Sequence, residues 1–177
     1  MDVLFNNAGI VIMGPLEEID IKEEFRIIDV NLKGVLNCIH ASLGLLKNTK
    51  KSRIINMSSA SSLYGTAYLA VYSATKAAIC SLTESLNLEL GQHDIFVNDI
   101  RAPYVNTPLL EQKVKAPSIE KLGIHLVPGD VAKTVFKASR SRKIHNDTKG
   151  IKPLLVLLLL PGFIKKIVLR LLLLPGK

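Results

Sequence analysis

Apolar and polar positions along this chain alternate between two periods. Val3-Leu4-Phe5 is a short apolar run closed by Asn6-Asn7-Ala8-Gly9, the form of a buried strand. A loop through Gly14-Pro15 follows, and from about Ile21 to Leu46 the chain reads as a helix, with Asp29-Val30-Asn31 inside it. Asp20 is the expected N-cap, and Glu23 and Glu24 suit the positive end of the helix dipole. Residues 53–57 read as the next strand, ending in Ser58-Ser59. The loop through Tyr64-Gly65-Thr66 then leads into a helix from about Ala70 to Leu90. Its inward stripe is assigned to Ala77, Leu82, Leu86 and Leu90. A strand is expected at 95–100, and a last helix, capped by Asp130, from Pro128-Gly129 to about Ser139. Strand and helix alternate, so the predicted fold class is α/β with a parallel sheet.

Past Arg140 the pattern changes, which divides the chain into residues 1–140 and a tail, 141–177. The tail holds two leucine-rich runs, Pro153 to Gly162 and Phe163 to Leu174, each far short of the ~20 residues that span a bilayer. Residues 133–177 carry eleven Lys and Arg against one acid, a charge of +10. The preceding 132 residues carry twelve against fourteen, −2. A basic, apolar helix of this kind suits a membrane interface with anionic head groups, giving a peripheral membrane placement. The other placement is internal, the leucines packing across a dimer or covering a pocket. No aromatic residues interleave the basic ones, so nucleic acid is not an expected partner. No N-terminal signal peptide is read, which makes an intracellular, cytoplasmic location the default. With 48% apolar and 5% aromatic residues, 177 positions suffice for one aliphatic core. Cys38 and Cys80 lie in apolar helical segments and read as reduced core residues. His40, His93, His125 and His145 show no metal-ligand spacing, so no metal site is expected.

Candidate chemistry centres on Tyr72-Ser73-Ala74-Thr75-Lys76. A tyrosine and a lysine four apart share one helix face, placing an ammonium beside a phenol. That proximity favours phenolate, which an unperturbed tyrosine reaches only near pH ~10. Ser59, thirteen residues upstream of Tyr72, can hold a substrate oxygen while the tyrosine gives or takes a proton. Together with Asn6-Asn7-Ala8-Gly9 after a strand, Asp29-Val30-Asn31 and Ile54-Ile55-Asn56-Met57-Ser58-Ser59, this order of motifs over about residues 2 to 110 resembles the short-chain dehydrogenase/reductase family.

The resemblance implies a Rossmann-type sheet, NADP or NAD as cofactor, and hydride transfer to or from the carbonyl carbon of an alcohol or ketone substrate. It implies Tyr72 as acid/base, Lys76 lowering the tyrosine pKa and binding the nicotinamide ribose, and Ser59 positioning the substrate oxygen. Asn31 would hold a relay water through its backbone carbonyl. Asn7, Ala8 and Gly9 would line the cofactor, Thr107 would contact the nicotinamide carboxamide, and 109–127 would form the substrate lid. Family members are commonly dimers or tetramers, so a homo-oligomer is expected. Two departures stand out. Ala102-Pro103 occupies the place of the family's Pro-Gly, and no glycine-rich phosphate-binding turn occurs anywhere in the chain. The match therefore corresponds to roughly the C-terminal two-thirds of the family fold. An N-terminally truncated enzyme and a catalytically inactive, dimerising or membrane-bound remnant are both expectations. Residues 2–6 would then form a bare apolar edge strand. The closing strand with Asp-Gly-Gly found in many members is not read beyond Arg140.

Overall fold

The computed structural model describes residues 1–174. Strands β1 (Val3–Asn6), β2 (Ser52–Met57) and β3 (Ile95–Arg101) form where the apolar runs place them. Helix α1 (Ile21–Ile28) begins at Asp20, whose carboxylate accepts the Lys22 N–H at 2.8 Å. The single helix expected to Leu46 is interrupted. A π-helical turn, Asp29–Lys33, separates α1 from α2 (Gly34–Lys47) and carries the buried Asn31. Such turns insert one residue into the helical ladder and occur often at functional sites. Helix α3 spans Ala70–Gly91, α4 Pro117–Leu122, α5 Pro128–Ala138, α6 Ile151–Leu158 and α7 Gly162–Leu173.

A fourth strand, β4 (His145–Asp147), is present although none was expected past Arg140. Three polar residues, His-Asn-Asp, have low strand propensity. Their place is set by the sheet: the Asp99 N–H donates to Ile144 O at 2.8 Å and the Thr148 N–H to Arg101 O at 3.0 Å. The strand order is β1-β2-β3-β4, every pair parallel. Parallel neighbours require crossovers, and parallel sheets need both faces covered. On β2 the alternation is direct. Ile54 packs with Val35, Ile39 and Ile79 of α2 and α3, while Ile55 packs with Ala138 of α5. Each fully buried isoleucine of this kind contributes roughly 1.5–3 kcal/mol. A polar line crosses the α3 face: Asn6 Nδ2 donates to Asn56 Oδ1 at 2.8 Å, and Asn56 Nδ2 to Thr83 Oγ1 at 3.0 Å. Strand β1 is an outer strand, with Val3 and Phe5 44% and 39% exposed.

Three local expectations are corrected. Ala77 is exposed; the buried stripe of α3 runs through Ile79, Thr83 and Leu90, with Leu82 and Leu86 half-buried. Asp130 is not the N-cap of α5. Val127 holds that position, and Asp130 reaches back to accept the Val127 N–H at 3.2 Å. Cys38 is exposed rather than in the core.

The tail folds back on the molecule. Ile151 and Leu154 of α6 are buried against Ala60, Leu63 and Tyr64. Helix α7 lies against α4, where Lys121 Nζ donates to Leu171 O and Leu174 O, both at 2.6 Å. Among the described residues no helix is long and apolar enough to cross a membrane. The outer face of α7 stays open, with Phe163 70% and Ile167 57% exposed.

Candidate active site

The carboxyl ends of β1, β2 and β3 open onto one cavity of about 700 Å³, the place where ligands bind in open parallel sheets. Ser59, Tyr72 and Lys76 all line it, as do Asn7, Gly9 and Thr107. Four separate segments thus converge on a space whose remaining walls are mainly aliphatic, among them Val11, Met13, Leu69 and Leu110. Ser59 follows β2 in an extended conformation, and its Oγ accepts the Ser61 N–H at 3.2 Å. Thr107 precedes a short 3₁₀ turn, Pro108–Leu110.

Lys76 is buried; its ammonium donates to Met57 O at 2.8 Å and lies over the Tyr72 ring, 5.6 Å from the centroid. Burial governs both groups. It pushes the Tyr72 phenol up to about 12, against the Ser59 hydroxyl, which favours phenolate; the Tyr104 phenol adds to the rise. Burial also pushes Lys76 down to about 8, opposed by Cys80. Desolvation dominates both groups, and the resting pair is a neutral phenol beside an ammonium of weakened basicity.

Asn31 and Ala8 do not line the cavity. Asn31 works behind it. Its Oδ1 accepts the Ile10 N–H at 2.8 Å, and its Nδ2 donates to Ile10 O at 2.9 Å and Thr75 Oγ1 at 3.3 Å. The segment after Gly9 is thereby clamped to α3. Gly9 itself comes so close that a Cβ there would stand 3.3 Å from Asn31 Oδ1 and 3.5 Å from Lys76 Nζ. Pro103, where the resemblance led to glycine, is accommodated from the tail. Gly150 adopts φ +89° ahead of α6, and a Cβ on it would meet Pro103 at 3.3 Å.

A model of the family described as short chain dehydrogenase matches residues 1–118. The chain belongs to the short-chain dehydrogenase family. Its sequence is 43% identical over 111 residues to a 3-alpha-(or 20-beta)-hydroxysteroid dehydrogenase of Mycobacterium bovis, covering 63% of this chain and 43% of that protein. The chain spans less than half the length of the curated relatives it matches. Among solved structures, a 3-ketoacyl-(acyl-carrier-protein) reductase from Brucella melitensis, complexed with NADH, is 30% identical. Its TM-score is 0.72, over 82% of this chain and 64% of that one. A short chain dehydrogenase from Burkholderia cenocepacia, in complex with NADP, matches 99% of this chain and 71% of its own. There the TM-score is 0.83 at 23% identity, a likeness of fold that extends through the tail.

Three cavity residues had no signal in the family motif. Tyr104 shares a 2.6 Å hydrogen bond with Ser118 Oγ, joining the segment after β3 to α4, while Tyr64 and Leu173 close other sides. Tyr104 directly follows Ala102-Pro103, and a tyrosine beside a motif departure was the one hint available.

Proposed function

We propose that this short-chain dehydrogenase site interconverts an alcohol and a ketone, with NADP or NAD as hydride carrier. The observation that carries the reading is the convergence of Ser59, Tyr72 and Lys76 in one largely apolar cavity with Asn7, Gly9 and Thr107. Bound there, the nicotinamide supplies or accepts the hydride. The chain's own residues do the proton work. In reduction, Tyr72 donates its phenolic proton to the carbonyl oxygen as the carbon gains hydride, and Ser59 holds that oxygen. The phenolate left behind pairs with the Lys76 ammonium, so the buried charge is neutral overall. Reprotonation runs through Lys76 and a water at the Asn31 carbonyl. The bare Gly9 backbone and the buried Lys76 cation fit the ribose and nicotinamide end of the cofactor, with Asn7 and Ala8 beside them and Thr107 as carboxamide contact.

The aliphatic walls favour a lipophilic ketone or alcohol over a small polar sugar. The named relative, a hydroxysteroid dehydrogenase, supports that class. Homo-oligomer formation belongs to the same reading, as does peripheral contact of α7 with anionic bilayers in an intracellular setting. Phe163, Ile164, Ile167 and Leu171 form its exposed face, with Lys166 and Arg170 beside them. Failure of the full chain to sediment with phosphatidylserine vesicles would remove the membrane part.

The decisive experiment is a fluorescence titration with NADPH and NADH, followed by turnover of Tyr72→Phe. Saturable binding of one dinucleotide is expected, with turnover falling about 10²–10⁴-fold in the variant while binding is retained. Undiminished turnover in Tyr72→Phe would sink the assignment. Binding of neither dinucleotide would count against a hydride carrier at this site.

A further inference from the structure

Behind the Tyr72–Lys76 face of α3 lies a second cluster that the proton relay does not use. Cys80 stands on α3 one turn beyond Lys76, Asp99 on β3 and His145 on β4. One donor atom from each lies within 4.8 Å of the other two. Separations of 19 and 46 residues kept this cluster out of sight in the sequence.

Asp99 is fully buried. Its Oδ2 meets His145 Nδ1 at 2.9 Å, whereas Oδ1 has no hydrogen-bond partner among the described residues. A buried carboxylate oxygen left without a partner is costly, and such an atom calls for a proton or a cation. His145 Nε2 meets Glu84 Oε1 at 3.0 Å. His145 thus sits between two carboxylates, and a cation that takes the place of the Nδ1 proton leaves Glu84 holding the Nε2–H, the arrangement typical of a metal-bound histidine. The Cys80 thiol completes the set, with Ser58 Oγ 3.1 Å from its sulfur. The neighbouring Arg101 is occupied by Asp147, through contacts of 2.7 and 3.1 Å.

We infer that Cys80, Asp99 and His145 bind a thiophilic divalent cation of the zinc type, with Glu84 orienting His145. One sulfur, one nitrogen and one carboxylate oxygen suit Zn²⁺ in tetrahedral coordination, the fourth position going to water. Binding displaces the thiol proton and the His145 Nδ1 proton, and thiolate plus carboxylate neutralise the two positive charges. The ion ties the three-residue strand β4 to the helix that carries Tyr72 and Lys76. The inference is independent of the dehydrogenase reading, since none of the three ligands lines the cavity.

Cobalt(II) titration of the full chain carrying Cys38→Ser tests it. Cys80 is then the sole cysteine, and the replaced residue is exposed. One Co²⁺ per chain with a near-ultraviolet thiolate-to-cobalt band is expected, displaced by Zn²⁺. Affinity should fall at least tenfold on adding His145→Gln. No band at saturating Co²⁺, or unchanged affinity with His145→Gln, overturns the site. Native mass spectrometry of the wild-type chain gives a readout without substitution. One zinc per folded chain is expected, and a folded chain that takes up none on zinc addition refutes it.

Discussion

A lysine buried to 4% exposure beside a tyrosine is a costly arrangement. Lys76 shifts from an ordinary value of 10.5 to about 8, and at about 1.4 kcal/mol per unit its burial opposes folding by about 3 kcal/mol near neutral pH. The sign follows from linkage. Below pH 8 both the folded and unfolded chains hold the proton and the full penalty applies; between 8 and 10.5 only the unfolded chain does, and folding regains the difference. Tyr72 behaves oppositely: its folded value of about 12 against 10 stabilises the fold below pH 10 and that gain is lost between 10 and 12. Lys76→Met should therefore be more stable than wild type at pH 7, by about 1–2 kcal/mol once the orphaned Met57 carbonyl is allowed for. The gap should close as pH rises from 8 to 10.5. Denaturant unfolding of both chains across that range checks it, and a gap independent of pH would contradict the assigned titration. Turnover, in contrast, should be lost in the variant.

At the scale of elements, α3 and the three long strands were legible because period-2 and period-3.6 patterns are local. Ile54 and Ile55 announce a strand wherever the rest of the chain goes. The π turn at Asp29–Lys33 is not legible in the local pattern; its Asn31 is bonded to Ile10, twenty-one residues away. Strand β4 escaped notice because His145-Asn146-Asp147 earns its conformation from β3 alone. Ala77 was placed inward by spacing although the neighbouring Ile79 fills the core. Of the site, Ser59, Tyr72 and Lys76 were readable as a motif, whereas the tail's two sides were left open. Leu154 and Leu173 now line the cavity wall. The α4–α7 contact rests on Lys121, which satisfies two carbonyls at the end of α7. Lys121→Ala should speed amide exchange in α7 about fivefold, corresponding to about 1 kcal/mol, while α6 stays protected by Ile151 and Leu154. Equal exchange in α7 with and without the lysine would show that the contact contributes nothing.

For the molecule as a whole, β1 matters because it has a strand neighbour on one side only among the described residues. Among the described residues, Val3 and Phe5 project exposed apolar surface from a strand paired on one side, a template for pairing with another strand. Val3→Lys with Phe5→Lys should lower light scattering at high concentration several-fold without changing the unfolding midpoint by more than about 1 kcal/mol. Persistent aggregation would direct attention to α7 instead. The same strand carries a consequence for biosynthesis. Asn6 finds its partner Asn56 fifty residues later, so during synthesis β1 waits for its β2 partner until those residues and the helices between have been made. In the cell, the yield of this protein should depend on chaperones that shelter nascent chains.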